Sequence, residues 1–311
     1  MQKIAFVFPG QGSQKPGMLA SLLEVHPEIA LTFAEASDVL SMDLWSIASG
    51  NPAGLLDQTH ITQPVLLTAS VAIWRAWTSR GYPMPGILAG HSLGEYSALA
   101  CAGVLSFRDA VKIVHQRGLY MQEAVPAGTG GMAAILGLDD DIIEDICRKV
   151  AGDSVVAPAN YNSTGQTVIA GEKAAVERAM QACKEAGAKR ALPLNVSVPS
   201  HCALMRNAAD RLAEDLGSIQ LNAARIPVVQ NVNGRIVMAT DDIRENLLKQ
   251  LYLPVQWVSC VRTICEHGYQ LFVECGPGKV LGGLSKRIDA GIQAYATEDE
   301  ASFAEAAKMT A

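Results

Sequence analysis

The sequence lacks the paired cysteines that a disulfide framework or a zinc site requires. Its seven cysteines form no CxxC pair and stand mostly in apolar helix-like or strand-like segments. Reduced thiols of this kind are typical of a cytoplasmic protein, and we expect that location.

Long apolar segments and runs of basic charge are missing too. No uninterrupted apolar segment approaches the ~18 residues that span a bilayer, and the apolar stretch within residues 1–9 is too short for a secretory signal. Lysine and arginine are scattered, and the formal net charge is −6. These features disfavour both membrane insertion and nucleic acid as the main ligand.

The most informative feature that is present is the pentapeptide Gly90-His91-Ser92-Leu93-Gly94. It follows the apolar run 87–89 and precedes small, helix-compatible residues, which is the strand–turn–helix context of a nucleophile elbow. The glycines permit a sharp turn that lifts the Ser92 hydroxyl clear of the sheet, and the helix dipole below it favours a developing oxyanion. The alternative is an ordinary glycine-rich turn that carries a solvated serine.

Strands and helices alternate on both sides of this turn. Apolar runs and helical spacing predict strands at 3–8, 87–89, 226–230 and 271–274, and helices at 17–48, 63–80 and 107–124. Such alternation indicates an α/β-hydrolase-like core with a mainly parallel sheet, built from residues 1–127 and 198–311. A chain of 311 residues, 49% of them hydrophobic, is long enough for this core and an insert.

The insert is predicted at residues 128–197, where the pattern changes. The order of its elements is βαββαβ, as in the ferredoxin-like unit. We expect these elements at 132–138, 139–150, 154–159, 167–170, 173–186 and 190–196, with a connection at 162–165. A small ferredoxin-like subdomain on the larger α/β core is therefore predicted.

A serine at an elbow needs a general base, because its hydroxyl is a weak nucleophile at neutral pH. Of the six histidines, His201 lies where the insert returns to the main domain and a helix starts, a position at which α/β folds carry functional groups. Spacing alone leaves open whether it is a base or a capping or packing residue. His91 should diverge from Ser92. The others stand in a surface-like stretch (His26), in or beside helical segments (His60 and His115) or at an apparent helix C-terminus (His267).

Two further features complete the candidate site. The loop 9–14 lacks the ending of a phosphate loop, and its backbone N–H at Gln11 or Gly12 can join that of Leu93 as an oxyanion donor. Arg117 falls on or beside the apolar stripe of its helix. It either snorkels over the surface or is a buried guanidinium that awaits a carboxylate.

Seven ordered motifs over nearly the whole chain are more specific than the elbow alone. They are Phe8–Gln14, Thr62–Pro64, Gly90–Tyr96, Gln116–Gly118, Pro199–Met205, Gln250–Trp257 and Glu274–Leu281. Together they resemble the malonyl-CoA:acyl-carrier-protein transacylase family of bacterial fatty-acid synthesis.

This resemblance implies a role for each site residue. Ser92 is the acylated nucleophile, His201 its base and Arg117 the anchor of the malonate carboxylate. A backbone carbonyl at Gln250 orients the histidine in place of a triad aspartate. The remaining implied positions are an oxyanion hole from the N–H groups of Gln11 and Leu93, a substrate pocket with Gln63, Met121 and Asn162, and Glu95 as structural support of the elbow helix.

The activity implied is ping-pong transfer of a malonyl group from malonyl-CoA to the phosphopantetheine thiol of acyl carrier protein, with no metal and no resident cofactor. Three alternatives remain: a serine hydrolase or thioesterase, a catalytically silent carrier-binding protein, and a trans-acting acyltransferase of polyketide assembly or malonate decarboxylase. Acyl carrier proteins are acidic, so a chain of net charge −6 needs a local basic patch to dock one. Candidates are the pairs Lys189-Arg190 and Lys286-Arg287.

Overall fold

The computed structural model describes residues 3–195 and 198–311, which form two β-sheets and their covering helices. The strands are β1 Ile4–Phe8, β2 Ile87–Gly90, β3 Gly130–Leu136, β4 Val156–Ser163, β5 Gln166–Glu172, β6 Arg190–Pro193, β7 Val228–Val229, β8 Leu271–Glu274 and β9 Gln293–Ala296. The helices are α1 Ala20–Leu23, α2 Pro27–Leu40, α3 Leu44–Gly50, α4 Thr59–Ser79, α5 Leu93–Cys101, α6 Phe107–Glu123, α7 Asp140–Ala151, α8 Lys173–Glu185, α9 Arg206–Ser218, α10 Thr240–Tyr252, α11 Trp257–Glu266, α12 Val280–Ile288 and α13 Glu300–Thr310.

The larger sheet is parallel and has the order β7-β2-β1-β8-β9. Its central strand β1 is buried along its whole length, as expected for a strand covered on both faces. The prediction of a mainly parallel sheet is thus confirmed. The strand predicted at 226–230 is only the two residues of β7, and β9 was not predicted because its half-exposed sequence carries no continuous apolar run.

The predicted helix at 17–48 is three helices. Pro27 begins α2, where its fixed φ suits a first helical position. Ser41, with φ of 51°, ends that helix in the left-handed region, and the Asp43 side chain accepts the Ser46 N–H to cap α3. Helix α4 begins at Thr59, before the predicted start, so Pro64 lies inside it.

The smaller sheet is antiparallel and has the order β4-β5-β3-β6. With α7 and α8 in the two crossovers it forms the predicted βαββαβ unit. Asn162 and Ser163, predicted in a connection, belong instead to β4, because the turn needs only the two residues Thr164 and Gly165. Strand β6 ends at Pro193, so the predicted strand is too long at residues 194 and 195, and its last residue, Val196, lies outside the described residues.

Strand β4 joins the small sheet to the large domain. The Val255 N–H donates to the Ala159 carbonyl at 2.9 Å, and the Tyr161 N–H donates to the Val255 carbonyl at 3.0 Å. This short parallel bridge lies just after α10 and holds the small sheet against the large domain. The residues at the end of β4 are therefore fixed relative to the elbow.

The elbow depends on two close backbone approaches. A Cβ on Gly90 would lie 1.9 Å from the carbonyl carbon of Gly94, and a Cβ on Gly94 would lie 2.0 Å from the Phe8 carbonyl oxygen. Only glycine therefore lets α5 start directly against β1 and β2. This contact sets the position of Ser92.

The sequence predicted reduced cysteines and no membrane-spanning segment, and the structure gives an observation on each. All seven cysteines are free thiols, and six of them are buried. Within residues 3–195 and 198–311, no helix is both long enough and apolar enough to cross a membrane.

Candidate active site

Ser92 stands in a strained turn between β2 and α5. Its φ of 52° and ψ of −109° are uncommon for a residue with a side chain. The Asn231 side chain holds both sides of this turn: its Oδ1 accepts the Ser92 N–H at 2.7 Å, and its Nδ2 donates to the Gly90 carbonyl at 2.6 Å. Strain of this kind persists only where the surroundings fix it, and it is common at functional sites.

A hydrogen-bonded chain runs from Ser92 through His201 to a backbone carbonyl. The Ser92 Oγ lies 2.8 Å from His201 Nε2, and His201 Nδ1 lies 2.6 Å from the Gln250 carbonyl oxygen. A carbonyl only accepts, so Nδ1 carries the hydrogen and Nε2 is free to accept the Ser92 hydroxyl proton. The structure therefore brings together the three residues expected at 92, 201 and 250.

His201 is neutral in this setting. Burial lowers its pKa from 6.5 to about 3, and the Arg117 cation adds to this effect, while the bond to the Gln250 carbonyl opposes it. A neutral imidazole with an unprotonated Nε2 facing a serine hydroxyl can act as a general base.

Arg117 is a buried guanidinium, only 1% exposed, and not a snorkelling one. Its Nη1 donates to Gln63 Oε1 at 2.7 Å, and its Nη2 donates to Gln250 Oε1 at 3.0 Å and to Ser92 Oγ at 3.3 Å. Its Nε has no acceptor among the residues that the structure describes. Neither amide carries a charge, so no carboxylate of the described residues binds this cation directly, and the guanidinium retains donors for one.

These groups open into a cavity of about 420 Å³. The large domain contributes Ser92, Arg117, Met121 and His201 to its wall, and the small sheet contributes Met132, Asn162 and Val168. Gln63, expected in the pocket, is not among the described residues that line it. It lies behind Arg117, so its effect on a bound molecule passes through the guanidinium.

Two backbone N–H groups are placed to receive a developing negative charge. Gln11 and Leu93 both line the cavity, and neither N–H has an acceptor within the described part of the chain. The N–H of Ser92 itself is bonded to Asn231 and is not available. Leu93 is also the first residue of α5, whose dipole favours an anion at this end.

The other histidines lie apart from the Ser92 hydroxyl. His91 diverges as predicted, because its Nε2 lies 2.8 Å from Asn162 Oδ1 and its ring packs against Trp257. His26 was expected in a surface-like stretch, and that expectation is wrong. It is 1% exposed and lies 2.7 Å from the Glu300 carboxylate, because the N-terminal end of α13 covers it.

Sequence reasoning missed Asn231 and the links made by Glu95. Asn231 follows β7 at its carboxyl end, where polar residues of parallel sheets gather, and that position is the signal that could have found it. Glu95 Oε2 accepts the Asn231 N–H at 3.1 Å and the Gln250 Nε2–H at 2.7 Å. Burial raises the Glu95 pKa to about 7, against these two bonds and the Arg117 charge.

The arrangement suits covalent acyl transfer with an acidic acyl group. It provides a nucleophile, a neutral base, two oxyanion donors and a buried cation within one cavity. Among the described residues, no group of three or more His, Cys, Asp or Glu side chains could hold a metal ion.

Comparisons with known proteins agree with this chemistry. Residues 5–300 match the family model described as acyl transferase domain. The chain is 56% identical to the malonyl CoA-acyl carrier protein transacylase of Salmonella typhimurium, over 98% of this chain and 99% of that one. It is 55% identical to the protein of that name from Escherichia coli, over 99% and 100% of the two chains.

Solved structures give the same result. An acyl carrier protein S-malonyltransferase from Vibrio cholerae matches with a TM-score of 0.96 and 55% identity, over 98% of this chain and 99% of that one. A malonyl-transacylase in complex with its type II PKS acyl-carrier protein matches with a TM-score of 0.98 and 54% identity, over 99% and 100% of the two chains.

Reaction of Ser92 with a fluorophosphonate tests the base directly. With the His201 pKa at about 3, the labelling rate should stay level from about pH 8 to about pH 5, because the base loses its lone pair only near its own pKa. Replacing His201 with Ala should slow labelling by about 10²–10⁴-fold. A rate that falls with a midpoint near pH 6.5 in the wild-type protein would contradict the buried, neutral imidazole.

Proposed function

The chain belongs to the acyl transferase family, among the malonyl CoA-acyl carrier protein transacylases, and on this premise we propose that it transfers a malonyl group from malonyl-CoA to the phosphopantetheine thiol of an acyl carrier protein. The observation that carries the proposal is the buried Arg117 guanidinium, 3.3 Å from the Ser92 hydroxyl. A malonyl thioester carries a free carboxylate, which a guanidinium binds well. A hydrolase of uncharged esters has no need of a cation there.

In the first half-reaction the Ser92 Oγ attacks the thioester carbonyl carbon and its proton moves to His201 Nε2. The N–H groups of Gln11 and Leu93 stabilise the oxyanion that forms. As the oxyanion collapses, the C–S bond breaks and coenzyme A leaves as the thiol with the proton from His201. The product is a malonyl ester on Ser92.

In the second half-reaction the carrier thiol takes the place of water. Its proton moves to His201 Nε2, its sulfur attacks the ester carbon, and the C–Oγ bond breaks as Ser92 recovers the proton. Each step uses side chains and backbone N–H groups of this chain, so we propose no metal and no resident cofactor.

In this reaction Arg117 links the choice of acyl group to the basicity of His201. In the free protein its charge lowers the His201 pKa. A malonyl carboxylate paired with Arg117 offsets that charge, so the base becomes stronger when the charged acyl group is bound. Met121 and Asn162 line the same cavity and are therefore placed to contact the acyl group or its thioester arm.

We also propose the division into a catalytic domain of residues 1–127 and 198–311 and a small subdomain of residues 128–197. The separate sheets and separate hydrophobic cores of the two regions support it. A cytoplasmic location is supported by the free thiols, since oxidising compartments favour disulfides.

Incubation with malonyl-CoA in the absence of a carrier tests the covalent step. Intact-mass measurement should show one malonyl adduct on the wild-type protein and none on Ser92→Ala, because Ser92 is the nucleophile. Addition of a holo acyl carrier protein should then discharge the adduct to the carrier. An adduct that persists in Ser92→Ala would contradict this assignment, and an adduct lost to water at the same rate with or without carrier would favour a hydrolase.

Replacing Arg117 with Ala tests the carboxylate anchor. Acylation by malonyl-CoA should fall by about 10²-fold or more, the scale for losing a buried charged hydrogen-bond pair. Acylation by acetyl-CoA should stay the same or improve, because the acetyl group has no carboxylate that needs a partner. The Arg117 charge that lowers the His201 pKa is also removed. Equal losses for both acyl groups would make Arg117 a structural residue.

The two candidate docking pairs lie at one end of the small sheet. Leu136 on β3 is paired with Arg190 on one side and with Gln166 on the other. Gln166 Oε1 accepts a hydrogen bond from Arg287 at 2.8 Å. We name the four exposed residues Lys189, Arg190, Lys286 and Arg287 the basic patch. It spans both domains and could meet an acidic carrier.

The basic patch is also near the cavity. Leu194, which lines the cavity, follows Arg190 along the same extended segment. At about 3.3 Å per residue, the Arg190 backbone lies at most about 13 Å from that of Leu194. A carrier docked on it could extend its prosthetic arm to Ser92.

Charge reversal of the basic patch tests this docking site. Changing Lys189 and Arg190, or Lys286 and Arg287, to Glu should slow transfer to the carrier and leave acylation by malonyl-CoA nearly intact. The wild-type carrier step should weaken as salt rises. Reversal of Arg148 and Lys149, an exposed basic pair on α7, is the matched control. Unchanged carrier kinetics in both patch variants would exclude these residues.

A further inference from the structure

Glu95 is a buried carboxyl group that the mechanism above does not use. It lies in the first turn of α5, three residues after Ser92, and is 0% exposed. It is not among the described residues that line the cavity. Only its Oε2 is bonded, to the Asn231 N–H and to the Gln250 side chain, while Oε1 has no partner within residues 3–195 and 198–311.

Gln250 connects this carboxyl group to the reacting atoms. Its backbone carbonyl accepts the His201 Nδ1–H, and its side-chain Oε1 accepts an Arg117 Nη2–H at 3.0 Å. Its Nε2 donates to Glu95 at 2.7 Å and to the Ser92 carbonyl at 3.0 Å. The two ends of the amide thus meet different partners, a donor at one end and acceptors at the other.

The orientation of the Gln250 amide decides whether its oxygen can accept a hydrogen bond from Arg117. Rotated by half a turn, Gln250 would present its NH₂ group to the guanidinium, and two donors would face each other. The Glu95 oxygen makes the observed direction favourable because it accepts from Nε2. Among the residues that the structure describes, Gln63, the other amide on Arg117, finds only the weak Met121 sulfur acceptor at 3.5 Å for its own NH₂ group.

We propose that Glu95 is a positioning residue, which turns the Gln250 amide oxygen toward Arg117 and so fixes the guanidinium for the acyl carboxylate. This inference rests on the transfer reaction proposed above. It assigns Glu95 more than support of the elbow helix, because its effect reaches the residue that reads the charge of the acyl group.

The acceptor oxygen, and not the negative charge, has the positioning role. A proton on Glu95 would reside on the unpartnered Oε1 and leave Oε2 as an acceptor for both bonds. Glutamine at this position keeps that oxygen, whereas methionine keeps the length and removes it. A purely structural role predicts losses that do not depend on the charge of the acyl group.

Single-turnover acylation of Ser92 by malonyl-CoA and by acetyl-CoA distinguishes these possibilities. Glu95→Gln should stay within about 3-fold of wild type for both acyl groups. Glu95→Met should lower the malonyl rate by about 10-fold or more, the scale of one hydrogen bond to a charged group. Its acetyl rate should fall much less, so that the malonyl-to-acetyl ratio drops. In an Arg117→Ala background, Glu95→Met should cause no further drop in that ratio.

Glu274→Met is the matched control. Glu274 is also a buried carboxyl group, but its Oε2 accepts the Gly282 N–H at the start of α12. Its loss should lower stability and leave the malonyl-to-acetyl ratio unchanged. Circular dichroism confirms that each variant is folded, and Glu95→Ala replaces Glu95→Met if the latter is not.

Three results would overturn the inference. One is a Glu95→Met protein that keeps the wild-type ratio, and another is equal loss for both acyl groups. The third is a Glu95→Gln protein as impaired as Glu95→Met, which would assign the effect to charge. If the wild-type protein takes no malonyl group from malonyl-CoA, the proposed function fails and the inference fails with it. If the wild-type protein is acylated normally but Glu95→Met does not lower the malonyl-to-acetyl ratio, this inference is overturned and the proposed function stands.

Discussion

The burial of the Arg117 guanidinium is the constraint on which the rest of the site depends. A lone charge is costly to remove from water unless hydrogen bonds replace those it loses. Two glutamine oxygens and the Tyr96 ring, 5.4 Å below the guanidinium carbon, supply that replacement without neutralising the cation. Helix α6 reaches this depth because it packs very closely on α4. A Cβ on Gly118 would lie 2.4 Å from the His60 Cα, so only glycine permits this packing.

The same charge sets the electrostatics of the nucleophile. An unneutralised cation near Ser92 stabilises an oxyanion and weakens the neighbouring base, two effects of opposite sign on the first half-reaction. Two geometric features favour catalysis in spite of the weakened base. The carbonyl of Gln250 fixes the His201 tautomer, and the Ser92–His201 distance of 2.8 Å needs no rearrangement before proton transfer. A carboxylate triad member at Nδ1 would instead add a full negative charge to the site and raise the His201 pKa.

The parts of this site that the sequence could predict are those defined by neighbours along the chain. The elbow glycines, the strand before them and β8 depend on local apolar runs and turn chemistry, which a sequence displays. Asn231 and Gln250 reach Ser92 across 139 and 158 residues of chain. No local pattern encodes such contacts: Gln250, on α10, was named from the family resemblance alone, and Asn231 is placed by the parallel order of the strands because it follows β7. Gln63 was assigned to the pocket from the family resemblance alone, and no local pattern indicates that its side chain bonds Arg117 without lining the described cavity.

In the proposed reaction, the two domains divide the recognition of the acyl group between them. Residues of the large domain on α4, α6 and α10 hold the cation and therefore read charge. Met132, Asn162 and Val168 of the small sheet form the facing wall, so they limit the size and shape of what fits. The bridge between Val255 and β4 lies five residues after Gln250, on the same chain segment that orients His201. A shift of the small sheet would therefore move the base as well as the wall, so shape selection and catalysis are mechanically connected in this fold.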